Sequence, residues 1–418
     1  MSNNYIIWAI SLLAIAGVII RPFKLPEAVW ALSGAILLLI FGLINFKTFI
    51  AGVAKGTDVY LFLAGMMLLS ESAREEKLFD WIAAHTVRAS GGSASKLFLL
   101  VFMAGIVVTA LLSNDATAVV LTPAVIAATR ASGVKNNLPY LLICAFIANA
   151  ASFLLPISNP ANLVIYQKQL PSLGHWLGQF LLPSALVIIL TYWALKTTQK
   201  NALKESFSTD VERQALSKTG KLALYSIIAT VAVLLACSAL GIDLGWPTFI
   251  TGLLCTLLIG AVARKSVIKP MRQVSWGVLL LVAGLFVIVE ALTQTGVTQQ
   301  LATKLAAAAS HSARTTSMIA GGGLAILCNL MNNLPAGLIA GEISQTAAMP
   351  DLVRKAILIG IDLGPNLSVT GSLATILWLN ALRREGINVS AADFLKIGAV
   401  VMLIPLIAVL LLLPYISI

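Results

Sequence analysis

The sequence predicts an all-α polytopic membrane protein made of two inverted-topology repeats, with about ten spanning helices, two re-entrant hairpins and two broken helices. Three observations carry this. Of 418 residues, 59% are apolar and only 11% charged, and the mean hydropathy of +0.93 exceeds what a water-soluble core can use. The apolar runs are 16–25 residues long, without the alternating ten-residue segments of a membrane barrel, so helices must do the spanning. Finally, two polar clusters inside apolar runs are rough copies of each other. LLSNDATAVV at residues 111–120 and LMNNLPAGLI at 330–339 stand 219 residues apart, with Asn332 under Ser113 and Asn333 under Asn114.

Residues 1–195 form the first predicted repeat. Apolar runs at about 5–20, 28–45 and 57–72 are its first three spans, punctuated by RPFKLPE and by the region from Lys47 to Lys55. The first run has no basic segment before it and no small-residue cleavage motif after it, so it reads as a retained helix. Residues 73–96 are too polar to span. With Leu78, Trp81, Ile82 and Val87 mostly on one side, they suit an amphipathic interfacial helix. Residues 97–130 have two arms of about 15 residues around the Ser-Asn-Asp tip, with basic residues at both ends, which predicts a re-entrant hairpin. Residues 138–166 are interrupted by FLLPISNPAN and read as a broken helix, and a span at about 172–195 closes the repeat.

The polar stretch 196–221 carries six Lys or Arg and is the predicted cytoplasmic linker. In the second repeat, 222–418, spans at about 222–240, 247–263 and 275–292 lead to an interfacial segment near 297–311. A hairpin at 315–349, a broken helix at 352–382 and a span at 393–413 follow. Here SNPAN at 158–162 aligns under GSLAT at 371–375, and Asn149 under Asp362.

This topology puts 21 of the 28 Lys and Arg on the linker side, so the linker is inside and both termini are periplasmic. Five spans per repeat is an odd number, which inverts the second repeat in the membrane. The net charge of +11 is spread over helix ends and does not form a nucleic-acid surface. Cys144, Cys237, Cys255 and Cys328 stand singly in apolar runs, and neither a metal nor a cofactor motif is present. The Gly321–Gly323 run lacks a phosphate-loop lysine and reads as close helix packing.

Hairpin tips and broken helices meeting at mid-depth are the arrangement of a secondary transporter. The substrate-site candidates are Ser113, Asn114, Asn159, Asn162, Asn332, Asn333, Asn366, Thr370 and Ser372. They offer hydroxyl and amide groups and no cation, which suits a small polyhydroxylated neutral solute better than a dicarboxylate. Asp115 and Asp362 are candidate proton carriers, because an ionisable group at that depth costs about 2.5–3.5 kcal/mol and is functional by default. Capping of the half-helix after each break is the alternative role. Asp58 and Glu290, near span ends, read as solvated charges, and His85, His175 and His311 as surface histidines.

SNDATAVVLTPAV at 113–125, MNNLP at 331–335 and IDLGPNLSVTGSLATILWL at 361–379 resemble the bacterial arsenite and antimonite efflux pumps, the arsenical pump membrane proteins of the ion transporter superfamily. The resemblance implies export of arsenite or antimonite, as the neutral trihydroxide, across the bacterial inner membrane in exchange for protons. It also implies a scaffold part and a transport part in each half, and a soluble arsenite-stimulated ATPase as a potential cytoplasmic partner. The chain has no nucleotide-binding motif of its own. Sodium–dicarboxylate symporters of the same superfamily carry Ser-Asn-Thr at the tips, where this chain has Ser-Asn-Asp and Asn-Asn-Leu. The family pattern often has Asp at the position of Asn149, which leaves Asp115 and Asp362 as carriers here. A sodium–proton antiporter or sodium-coupled organic-anion symporter is the competing reading.

Overall fold

The computed structural model describes residues 2–207, 215–346 and 349–416. Its first half runs α1 (Ser2–Ile20), α2 (Glu27–Ile40), α3 (Phe46–Lys55), α4 (Thr57–Glu75), α5 (Leu78–Ala89) and α6 (Ala94–Leu111). After the tip come α7 (Asn114–Ala116), a π turn at Thr117–Leu121 and α8 (Thr122–Ala131). The half ends with α9 (Leu138–Ala150), α10 (Pro160–Tyr166) and α11 (Leu173–Thr198). The second half runs α12 (Lys218–Ala239), α13 (Gly245–Ala263), α14 (Ile268–Gln273), α15 (Trp276–Gln294) and α16 (Val297–His311). It continues through α17 (Ala313–Met331), α18 (Asn333–Thr346), α19 (Asp351–Leu363), α20 (Leu373–Arg384) and α21 (Ala391–Ile416).

Among the described residues, seven helices are long and apolar enough to cross a membrane, and the α3–α4 pair, bent by 44°, makes an eighth candidate. Leu12, Leu13, Leu182, Trp193, Leu254 and Ile407 leave large apolar side chains on the outside of the bundle, as a lipid-facing surface requires.

The sequence leaves residues 47–55 as a connection, whereas the structure makes them part of α3. Two features explain this. The Asn45 side chain accepts from the Thr48 N–H at 2.8 Å, and the helix buries Thr48 and Gly52, with Gly52 close to Val287 of α15. The hairpin and broken-helix ranges shift by only a few residues at their ends. Residues 208–214 of the predicted linker and residues 347–348 of the second hairpin lie outside the described residues.

Packing pairs one half with the other. α4 lies along α13, α15 along α2, and α11 along α21. Gly65 on α4 and Gly284 on α15, themselves 219 residues apart, both stand at these crossings. A Cβ on Gly284 would come within 2.7 Å of the Ala31 backbone, and the Gly65 face is closed in the same way by Thr248 and Phe249. Each hairpin packs beside the broken helices: α6 on α9, α17 on α19, α18 on α10, and the π turn on α20. Of the glycine run, Gly321 sits against Ala356, while Gly322 and Gly323 face open space, so one of the three serves close packing.

Candidate functional site

Both tips fold by the same local chemistry. Ser113 ends α6 with φ +154°, and its Oγ accepts from the Ala116 N–H at 3.3 Å. Asn332, at the equivalent position, ends α17 with φ +70°, and its Oδ1 accepts from the Leu334 N–H at 3.3 Å. With ψ +153°, Asn332 lies outside the left-handed helical region that asparagine favours and close to one that only glycine enters freely, so its bend is held by the contacts around it. Each tip residue thereby caps the arm that follows. In the first tip the cap is Ser113 and not Asp115, while the Asn114 Oδ1 takes the Asp115 N–H at 2.9 Å. The carboxylate is left over from the capping.

Asp115 lines a cleft of about 40 Å³ with Ser113, Ser70, Glu71, Ser275, Pro160 and a wall of apolar residues from α4, α15 and α20. Glu71 was not legible as a site residue in a run read as an ordinary span. The signal that finds it is its distance of 219 residues from Glu290, the spacing of the two tips. Glu71 is buried, and its Oε2 accepts from the Arg74 Nε at 2.7 Å.

On the other side of Leu373, a second, tighter cleft of about 10 Å³ is lined by Asn332, Thr370, Pro335 and Glu27, among other residues. Glu27 pairs with Arg21. This second tip is tied firmly to the second break. The Asn333 N–H donates to the Gly371 carbonyl at 2.9 Å, and Asn332 Nδ2 to the Thr370 carbonyl at 3.4 Å. Asn329, one turn before the tip, donates to the Gly364 carbonyl at 3.0 Å and accepts from the Ser368 hydroxyl at 2.7 Å. Sequence reasoning missed Asn329, although an amide four residues before Asn333 in an otherwise apolar arm was the available clue.

Between the clefts the two broken helices exchange hydrogen bonds crosswise. Asn159 Nδ2 donates to Asp362 Oδ1 at 2.7 Å, and Asn149 Nδ2 to Asn366 Oδ1 at 3.0 Å and Thr375 Oγ1 at 3.4 Å. Asn366 in turn donates to the Phe146 carbonyl at 3.1 Å. Asn162 closes the first break on itself, its Nδ2 reaching the carbonyls of Ser152, Leu155 and Pro156. Ser372 caps α20 by accepting from the Thr375 N–H at 3.1 Å. Asp362 is fully buried, and its Oδ2 has no hydrogen-bond partner among the described residues. An acceptor without a donor at that depth is costly unless a proton or ligand visits it.

The structure therefore divides the predicted residues into three groups. Ser113 and Asp115 line the larger cleft, and Asn332 and Thr370 the smaller. Asn159, Asn162, Asn366, Ser372 and Asp362 form the buried crossing between them, while Asn114 and Asn333 are buried beside their tips. Of the charges read as solvated, Asp58 accepts from the Gly245 N–H at 2.6 Å, and Glu290 is bound 2.6 Å from Lys55. Both correct the expectation, because contacts with distant helices reach these span ends.

The citrate transporter model, CitMHS, matches residues 6–360, most of the chain. The chain belongs to this family. It is also 27% identical over 422 aligned residues to the arsenical pump membrane protein of Escherichia coli K12, covering 96% of each chain. The arsenical pump membrane protein of Yersinia enterocolitica is 27% identical with 82% of each covered. A 46 kDa membrane protein of Mycobacterium leprae is 24% identical with 95% of each covered. Among solved structures, the Alcanivorax borkumensis YdaH transporter superposes with a TM-score of 0.60 at 16% identity, covering 88% of this chain and 87% of that one. Neisseria gonorrhoeae MtrF gives 0.54 at 15%, covering 91% and 84%. This CitMHS protein is a multi-pass membrane transporter, not an enzyme.

Proposed function

We propose that this transporter exports arsenite or antimonite, as the neutral trihydroxide, from the cytoplasm in exchange for protons. Asp115 and Asp362 carry the proton, and the polar residues of the tips and breaks form the substrate path. The observation that carries the reading is the chemistry of the larger cleft. Asp115, freed from capping, lines it with Glu71 and the hydroxyl residues Ser70, Ser113 and Ser275, and among the described residues neither lysine nor arginine lines the space. Hydroxyls and carboxylates suit a neutral solute that donates and accepts hydrogen bonds, and they suit proton traffic. A tricarboxylate would meet charge of its own sign there, which argues against citrate as cargo despite the family's name. The names of the full-length relatives point the same way.

The two halves act as inverted repeats in this reading. The exchanged pairings of α4 with α13 and α15 with α2, the 219-residue spacing of Gly65 and Gly284, and the crossed hydrogen bonds of the breaks all support it. We assign α1–α4 and α12–α15 to the scaffold, and the hairpins with the broken helices to the moving part. Both termini lie in the periplasm, and a soluble ATPase is an accessory and not a requirement, since the proton gradient supplies the driving force and the chain's own carboxylates couple it to transport.

The test is arsenic accumulation in bacteria lacking their own arsenite exporter. Cells making this protein should hold several-fold less arsenite than cells making Asp115→Asn at equal membrane level. Equal accumulation in both, together with citrate uptake by the native chain, would overturn the assignment.

A further inference from the structure

Lys55, the last residue of α3, stands between two carboxylates from different parts of the molecule. Its Nζ is 2.6 Å from Glu290 Oε2 on α15 and 3.6 Å from Glu342 Oε1 on α18. The Glu290 and Glu342 side chains are only 15% and 17% exposed, so water screens the cluster weakly. Leu338 of the same hairpin arm and Phe286 and Val289 of α15 close around it. Here α3 and α15 belong to the scaffold and α18 is the second arm of the second hairpin, so Lys55 joins the two parts.

Glu71 occupies the position of Glu290 in the other half, and its surroundings are the reverse. It pairs with Arg74 on its own helix, Arg74 reaches Gln273, and the larger cleft opens beside it. Among the described residues, no ion pair joins α4 or α14 to the first hairpin. Position 55 maps onto Val274, which lines that cleft and has no charge to offer.

We infer that Lys55 is a positioning residue that locks the second hairpin against the scaffold through Glu290 and Glu342, and that the state seen here is closed on that side and open beside Glu71. The inference rests on the proposed division into a fixed scaffold and moving hairpins. In the opposite state the lock must break, so its strength sets how the protein divides its time between the two. Removing Lys55 takes away the cation that Glu290 of the scaffold and Glu342 of the hairpin share across the joint, and so loosens one on the other.

The test uses the full chain in lipid vesicles, with the four cysteines replaced and Val119→Cys placed in the larger cleft. The rate of reaction with a membrane-impermeant maleimide reports how much of the protein has that cleft open. Lys55→Gln and Glu342→Gln should each slow labelling about threefold or more, as the released hairpin lets the open state drain away. The exchange Lys55→Glu with Glu342→Lys restores one cation between two carboxylates and should restore the rate. Unchanged rates in both single variants, in monodisperse protein, would overturn the lock, and so would an exchange variant that stays as slow as the singles. No substrate enters the readout. Failure to transport arsenite would remove the proposed cargo and leave the lock standing, whereas lock-independent labelling of an arsenite-transporting protein would remove the lock alone.

Discussion

The two hairpins share a plan and differ in what their tips are free to do. At the first, Ser113 takes over the capping and Asp115 is released to line a cleft with a second carboxylate. At the second, the residue equivalent to Asp115 is Leu334, and the tip is bound to the second break through Asn329, Asn332 and the Asn333 backbone. In the proposed cycle the first tip does the ionisable work and the second is a braced, neutral wall. A pair of like elements can thus divide a transport cycle, one handling protons and the other holding geometry.

The sharpest way to break this contrast is to neutralise the ionisable tip. Asp115→Asn keeps the shape of the side chain and should abolish proton-driven transport, a loss of about a hundredfold or more, with the protein still folded. Retained coupling to an imposed pH gradient would take Asp115 out of that role. Asn329→Ala tests the braced tip. It takes the Asn329 amide from the buried Gly364 carbonyl, at about 1–3 kcal/mol for a buried group left unsatisfied, and one of the two partners of the Ser368 hydroxyl, and should lower the melting temperature by a few degrees. An unchanged melting temperature would mean the brace is not structural.

Asn332→Ala and Asn333→Ala should weaken substrate affinity by roughly three- to tenfold, the worth of one lost hydrogen bond, while the protein stays folded. Unaltered transport KM in both would make the second tip purely a support. Smallest of all, replacing Cys144, Cys237, Cys255 and Cys328 by Ser or Ala should leave arsenite resistance intact, since the four thiols sit on α9, α12, α13 and α17 without clustering. Lost transport at normal expression would point to a thiol site.

Much of this was readable from residue order because membrane burial is unforgiving. Polar residues at mid-depth have few innocent reasons to be there, so the helix breaks at Ser113–Asp115, at Asn332–Asn333 and after Ala150 and Leu363 could be read from the sequence, with helix ends within a few residues of those expected. What was hidden depended on partners far away in the chain. Nothing in the run around Glu71 says that it lines a cleft with Asp115, and Glu290 looked like a solvated span end until Lys55 and Glu342 closed on it. The helix at Phe46–Lys55 was obscured by its two lysines, although Asn45 before it is a good cap. Asn162, Asn366 and Ser372 were found as polar residues at the right depth, but their engagement with carbonyls and helix ends is a property of folding that composition does not encode.

The central claim is that a proton gradient, working through the carboxylate of the first tip, moves a neutral metalloid hydroxide. The measurement that meets it most directly is uptake of arsenite and antimonite into everted membrane vesicles, with the proton gradient imposed or collapsed and sodium varied separately. Uptake should need the proton gradient, ignore sodium and disappear in Asp115→Asn. Sodium-dependent movement of citrate or another organic anion, with no metalloid uptake under any gradient, would contradict it.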